Sequence, residues 1–359
     1  MYYSGIITFL YEEKYKLMKR NILGVIKYAL LVFLVIFLYK AFWPRNYHVP
    51  PSQLRAGTKY WNLSTGSKIG YTFIAGTGSK KNYPIIYLHG GPGGFVSDRD
   101  IRVLSTLAED GYDIYFYDQI GSGQSARLEN ISDYTVSRHV KDLKEIVGRV
   151  GAEKVILIGQ SWGAILATLF TAENSEKVEK IIVSSPGPIY PVRLGLKNVT
   201  PPDSLHLRTP FYSNNQGNEK ANNLRIKTIT FWAKKFNKKL ASDKEADDFA
   251  TYLNFEVNKS TVCDTAKIVK AVAGSGFYAA VMTFKSLGQV QDPRPKLKNS
   301  NIPILVIKGQ CDNQKWGFTN EYLELFHNHQ FAFIPDAGHF ISVEQPDSYI
   351  KAIKGFLIK

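Results

Sequence analysis

Between residues 84 and 183 the chain alternates short runs of apolar residues with longer stretches of helical spacing. Pro84–Leu88 and Val155–Ile158 are apolar throughout, and Tyr112–Tyr117 and Val178–Val183 are mainly apolar, broken by Asp113 and by Glu179-Lys180, so each reads as a buried strand. Helices are predicted between them near Ile101–Glu109, over Ser137–Val150 and over Ile165–Ala172. In the second of these, Val140, Leu143, Ile146, Val147 and Val150 fall on one face. Such strands need a helix layer on each side, which predicts an α/β fold with a mainly parallel sheet.

Tyr60–Leu63 and Ile69–Ile74 read as an antiparallel hairpin before this array. Strands return at Ile304–Ile307 and Phe331–Ile334, and Ile350–Leu357 reads as a closing helix. The intervening stretch is polar and helix-rich, with Phe249–Phe255 and Ala266–Ala273 as its clearer helical pieces. The expected organisation is one α/β core, residues 49–185 and 297–359, interrupted by a helical cap over residues 186–296.

Residues 1–48 form a separate basic segment. From Ile22 to Tyr39 every residue but Lys27 is apolar or glycine. As a helix these residues span about 27 Å, close to the bilayer's hydrocarbon thickness. Lys14, Lys16, Lys19 and Arg20 precede the run, which favours a cytoplasmic amino terminus and an exported body. Membrane contact through residues 22–39 is therefore expected, as an uncleaved anchor or as a signal peptide whose body is secreted. Met18-Lys19-Arg20 would itself begin a signal of that kind. The residues after the run, Lys40-Ala41-Phe42-Trp43-Pro44, lack a small-x-small cleavage site and favour the anchor.

The formal net charge is +14, and residues 186–296 share in it through groups such as Lys234, Lys235, Lys238 and Lys239. No nucleic-acid motif or aromatic platform accompanies this charge, so no nucleic-acid partner is expected. Cys263 and Cys311 match no zinc spacing and are expected to be free thiols.

The chemistry concentrates in four short stretches. Gly159-Gln160-Ser161-Trp162-Gly163 lies between a buried strand and a helix, where a tight turn lifts a serine hydroxyl above the strand ends. A hydroxyl needs a base to act as nucleophile at neutral pH. His339, in Asp336-Ala337-Gly338-His339, follows the last strand and is the candidate base. Asp312 follows the preceding strand and is the candidate acid, with Asp336 as its competitor. His89-Gly90-Gly91-Pro92-Gly93 supplies a glycine-rich loop, and the amides of Gly91 and Trp162 are the expected oxyanion hole. Acyl transfer by such a set requires neither metal nor organic cofactor.

These stretches, with Asp118-Gln119-Ile120-Gly121-Ser122-Gly123-Gln124-Ser125, resemble the proline iminopeptidase family of α/β-hydrolases over roughly residues 55–357. The resemblance implies an α/β-hydrolase fold with a helical cap and removal of an amino-terminal residue, often proline, from short peptides. It also implies cap carboxylates that bind the substrate's free amine. Phe255-Glu256 matches the aromatic–Glu pair that supplies one, making Glu256 the candidate anchor. A second is expected near Gly274-Ser275-Gly276-Phe277-Tyr278, where no carboxylate stands. Three functions follow as expectations. They are a prolyl aminopeptidase-like serine hydrolase, an esterase or amidase of the same fold, and a non-catalytic receptor using the same pocket. The partner is a small peptide or ester; the sequence leaves the oligomeric state open.

Overall fold

The structure is a computed structural model that describes residues 2–268 and 272–358. Its elements fall into two units, one holding the chain up to Arg45 with Asn223–Thr228, the other holding Asn46–Asn222 and Ile229 onward.

The first unit is dominated by α1 (Tyr2–Phe42). Over Phe9–Phe42 this helix has a mean hydropathy of 2.5 and is long and apolar enough to cross a membrane. Side chains such as Phe33 and Leu34 lie exposed along it. The helix begins well before Ile22, because Lys, Glu and Leu are good helix formers and the preceding basic stretch contains no proline. Gly24 falls inside it without breaking it.

The second unit is built on an eight-stranded sheet in the order β1-β2-β4-β3-β5-β6-β7-β8. β1 (Lys59–Asn62) and β2 (Lys68–Ile74) pair antiparallel, and β2 pairs antiparallel with β4 (Ile114–Tyr117). β3 (Ile85–Leu88), β4, β5 (Val155–Gln160), β6 (Val178–Ser184), β7 (Ile304–Gly309) and β8 (His329–Ile334) are parallel to one another. Trp61 stacks on Tyr71 with ring centroids 3.6 Å apart, which stiffens the antiparallel edge.

Alternate residues of the parallel strands face opposite layers. Ile85, Ile158, Ile182, Leu305 and Ile307 join one core with Leu104 of α2 (Asp98–Leu104) and with Tyr349 and Ile353 of the closing helix. Leu143 and Ile146 of α3 (Val136–Val150) and Leu166 and Phe170 of α4 (Trp162–Glu173) are also fully buried. Local signals set the helix ends. The Thr135 side chain accepts from the Arg138 amide, and Gly151 ends α3 at φ 73°.

The stretch between β6 and β7 carries α5 (Asn214–Ala221), α6 (Leu224–Phe236), α7 (Asp243–Val257), α8 (Phe277–Ser286) and α9 (Arg294–Leu297). The helix expected over Ala266–Ala273 is absent from its described part. Only a single 3₁₀ turn, Thr265–Lys267, forms there, and residues 269–271 lie outside the described residues. Asp264 caps that turn through the Ala266 amide, and Gly274 at φ 152° ends any helical run. After β7 come α10 (Trp316–Leu325), and after β8 come α11 (Ile341–Glu344) and α12 (Pro346–Leu357).

The two cysteines are not free thiols. Cys263, in the insertion, is bonded to Cys311, just beyond β7. Their separation of 48 residues in sequence hid the pair, because only the tertiary fold brings them together.

Candidate active site

Ser161, Asp312 and His339 each stand just past the carboxyl end of a parallel strand: β5, β7 and β8. Parallel strands end on one edge of a sheet, so the topology gathers three residues that are far apart in the chain.

Ser161 is held at φ 55° and ψ −111°, a backbone conformation that L residues rarely adopt. Its amide donates to Ser184 O at 3.0 Å, and α4 begins at the next residue. The turn is possible because its flanking residues are glycines. A Cβ on Gly163 would lie 1.9 Å from Leu88 O, and one on Gly159 would lie 2.4 Å from Gly163 O. The Trp162 amide opens the helix and has no earlier turn to bond to, so it is free to face a ligand.

On the opposite side, His339 Nδ1 donates to Asp312 Oδ1 at 2.8 Å. The carboxylate can only accept, which fixes the tautomer and leaves Nε2 as the ring's other face. Gln314 N also donates to Oδ1, and Lys308 Nζ donates to Oδ2 at 2.9 Å. Burial alone would raise the Asp312 carboxyl, but Lys308 and His339 outweigh it and hold the group well below the usual carboxylate range. Asp336, the competing acid, pairs instead with Arg208 at the surface.

Thr261 O, in the insertion, accepts from the His339 amide at 2.7 Å. The Glu344 carboxylate accepts from the amides of Cys263, Asp264 and Gly338. The histidine loop is therefore fastened to the insertion.

Gly91 lies at φ 132°, and its bond to Pro92 is cis. A Cβ on Gly91 would meet Gly94 N at 2.5 Å, so the loop closes only with glycine there. Behind it, His89 Nδ1 donates to Gly90 O and Nε2 accepts from the Gln119 amide. Burial lowers the His89 imidazole, in keeping with that neutral form. Gln119 Oε1 in turn accepts from Trp162 Nε1 at 2.7 Å. The two expected oxyanion loops are thus braced against each other through His89, Gln119 and Trp162.

Glu256 does not present a free carboxylate. It is buried at 4% exposure and pairs with Lys259 and Lys220. Burial opposes its charge, but the two lysines outweigh it and hold the carboxyl below its usual range. Where a second cap acid was sought, Ser275 Oγ accepts from Asn254 Nδ2 at 3.0 Å. The segment abuts the glycine loop directly, since Gly276 N donates to Gly93 O at 2.7 Å.

Sequence reasoning missed Lys308, Glu344, the Thr261 carbonyl and the disulfide. A lysine inside a strand otherwise apolar was the one local signal available.

Comparison with known proteins agrees with this architecture. Residues 83–346 match the family described as alpha/beta hydrolase fold. A proline iminopeptidase of Saccharolobus solfataricus is 36% identical over 121 residues, 33% of this chain and 38% of that protein. The matched stretch thus spans about two fifths of that relative's length. One from Heyndrickxia coagulans is 24% identical over 298 residues, covering 82% of this chain and 96% of that protein. Among solved structures, an esterase from Exiguobacterium antarcticum superposes with a TM-score of 0.55 at 15% identity. That match covers 84% of this chain and 99% of the esterase. The sheet order, the turn at Ser161 and the match over residues 83–346 place this chain in the α/β-hydrolase fold family.

Proposed function

We propose that the protein is a serine hydrolase working through an acyl-enzyme. Ser161 attacks the substrate carbonyl, His339 Nε2 takes its proton and returns it to the leaving group, and Asp312 orients and stabilises the imidazolium. The amides of Gly91 and Trp162 face the developing oxyanion. Water then enters by the same route and releases the acid. The observation that carries this reading is the 2.8 Å His339–Asp312 bond on the strand edge that also presents Ser161 at φ 55°.

The leading substrate class is a short peptide cleaved after its amino-terminal residue, supported by the likeness to two proline iminopeptidases. An esterase or amidase acting on a neutral acyl group is the second reading. It is favoured by one observation: Glu256 is neutralised by two lysines, which leaves it poorly suited to hold an ammonium group.

The experiment uses the full chain in detergent with prolyl and alanyl amides, a short-chain ester and an amino-blocked peptide, with Ser161→Ala as control. Selective cleavage of the free-amine substrates supports the peptidase. Ester cleavage without that preference moves the protein to the second reading, and activity that survives Ser161→Ala removes both.

We further propose that α1 is a signal anchor and that the catalytic unit is extracytoplasmic. The Cys263–Cys311 bond supports an oxidising compartment, since such bonds are rare in the cytosol.

A further inference from the structure

Lys308 lies inside β7, a strand buried along its whole length, and its own exposure is 0%. Leu305 and Ile307 point into one core layer, so Lys308 points to the other side of the sheet. Burying an ammonium group costs several kcal/mol unless it is well paired, and an apolar side chain of similar length would avoid that cost. A lysine at this position is therefore to be explained by what it pairs with.

Lys308 Nζ donates to Asp312 Oδ2 at 2.9 Å and to Gln314 O at 3.1 Å. The other Asp312 oxygen takes the His339 Nδ1 proton at 2.8 Å. Ammonium, carboxylate and imidazole thus stand in one buried row. We propose that Lys308 is a positioning residue that locks the Asp312 carboxylate and offsets its charge, so that His339 passes its proton on more readily and the hydrolase stays active at lower pH. This rests on the reading of Ser161, His339 and Asp312 as a triad.

The electrostatics follow from the row itself. When His339 Nε2 takes the proton from Ser161 Oγ, the row becomes cation, anion, cation. Lys308 is a like charge to the imidazolium and disfavours it, so the proton leaves more easily to the departing group. Without Lys308 the uncompensated carboxylate would hold the imidazolium more tightly. Two other carboxylates on elements packed against the row have partners of their own, and Lys315, beside Gln314, is exposed. Glu344 of α11 is taken up by the amides of Gly338, Cys263 and Asp264, and Asp336 is paired with Arg208.

The test compares the full chain with Lys308→Met and Lys308→Gln, measuring kcat and KM from pH 4.5 to 9 on whichever ester or aminoacyl amide the wild type cleaves. Lys308→Met is expected to move the acid limb of kcat/KM upward by about one pH unit, an effect the size of one nearby charge. Activity at pH 5.5 then falls about tenfold relative to wild type, with a much smaller change at pH 8. Lys308→Gln can still donate a hydrogen bond but carries no charge, so it separates the two roles and serves if the methionine variant does not fold. The expected result is an upward shift in both. A limb that stays at its wild-type pH overturns the proposal, and a uniform loss of kcat across the range assigns Lys308 a structural role only. Failure of the triad reading is distinguishable, because wild-type turnover would then survive Ser161→Ala.

Discussion

The two halves of the site are held by different means. Ser161 is placed by its immediate neighbours, since the glycines at 159 and 163 permit a turn that a single Cβ would close. His339 and Asp312 are placed partly by the insertion, from far along the chain, and partly by nearby residues of β7 and α11. The insertion supplies the Thr261 carbonyl and Cys263, α11 supplies Glu344, and β7 supplies Lys308. One half is a glycine-flanked turn seated against β3 and β6; the other is tied to the insertion as well.

Removing the disulfide should strike the second half hardest. By loop-closure entropy, a cross-link between residues separated by 48 positions contributes roughly 4 kcal/mol. The Cys263→Ala/Cys311→Ala chain is expected to unfold at lower denaturant by about that amount. Its kcat should fall severalfold more than its KM changes, because Cys311 adjoins Asp312. Unchanged kcat in the double variant would break the comparison, since the acid would then keep its place without the insertion.

Gly163→Ala attacks the first half. Its Cβ would sit 1.9 Å from the Leu88 carbonyl, an overpacking expected to cost about 3 kcal/mol. Hydrolysis should be lost with it, and denaturant unfolding beside a turnover assay would show both. An alanine variant of wild-type stability and rate would mean that the turn at Ser161 owes nothing to steric fit.

The smallest effect concerns His139, which packs edge-on against Trp162 and lies 3.0 Å from Thr283 Oγ1 of α8. Burial is the main cause that lowers its imidazole to about 3, with His89 and Arg138 adding to it. The folded state therefore binds fewer protons than the unfolded chain between about pH 6.5 and about pH 3. Its contribution to stability is present above that window and is lost as the pH falls through it. His139→Gln should flatten the acid decline of the thermal midpoint while changing the stability at pH 8 by only about 1 kcal/mol. An unaltered acid decline would show that other groups govern it.

The same division explains what the sequence disclosed. The strands from β3 to β6 and the turn at Ser161 were legible because each is written in a few adjacent residues. Even there the strands shifted by a residue or two, as when the predicted Tyr112–Tyr117 became Ile114–Tyr117. In the described part of Ala266–Ala273 the expected helix is replaced by a single turn capped by Asp264, in a neighbourhood committed to contacts with the histidine loop. The free-thiol reading failed for a related reason. Spacing along the chain carries no information about two residues joined by the crossing of an insertion over a strand end. Glu256 was found by a local pattern, but its two lysine partners include Lys220 on a different helix.

The Thr261 carbonyl accepts the amides of both His339 and Phe340, so a stretch that would be expected to vary with substrate also supplies part of the scaffold for the proposed proton transfer. New specificity in such a lineage could not arrive by exchanging the whole insertion for another. It would have to come from point changes around a conserved fastening, or from a donor segment able to return a carbonyl to the same place.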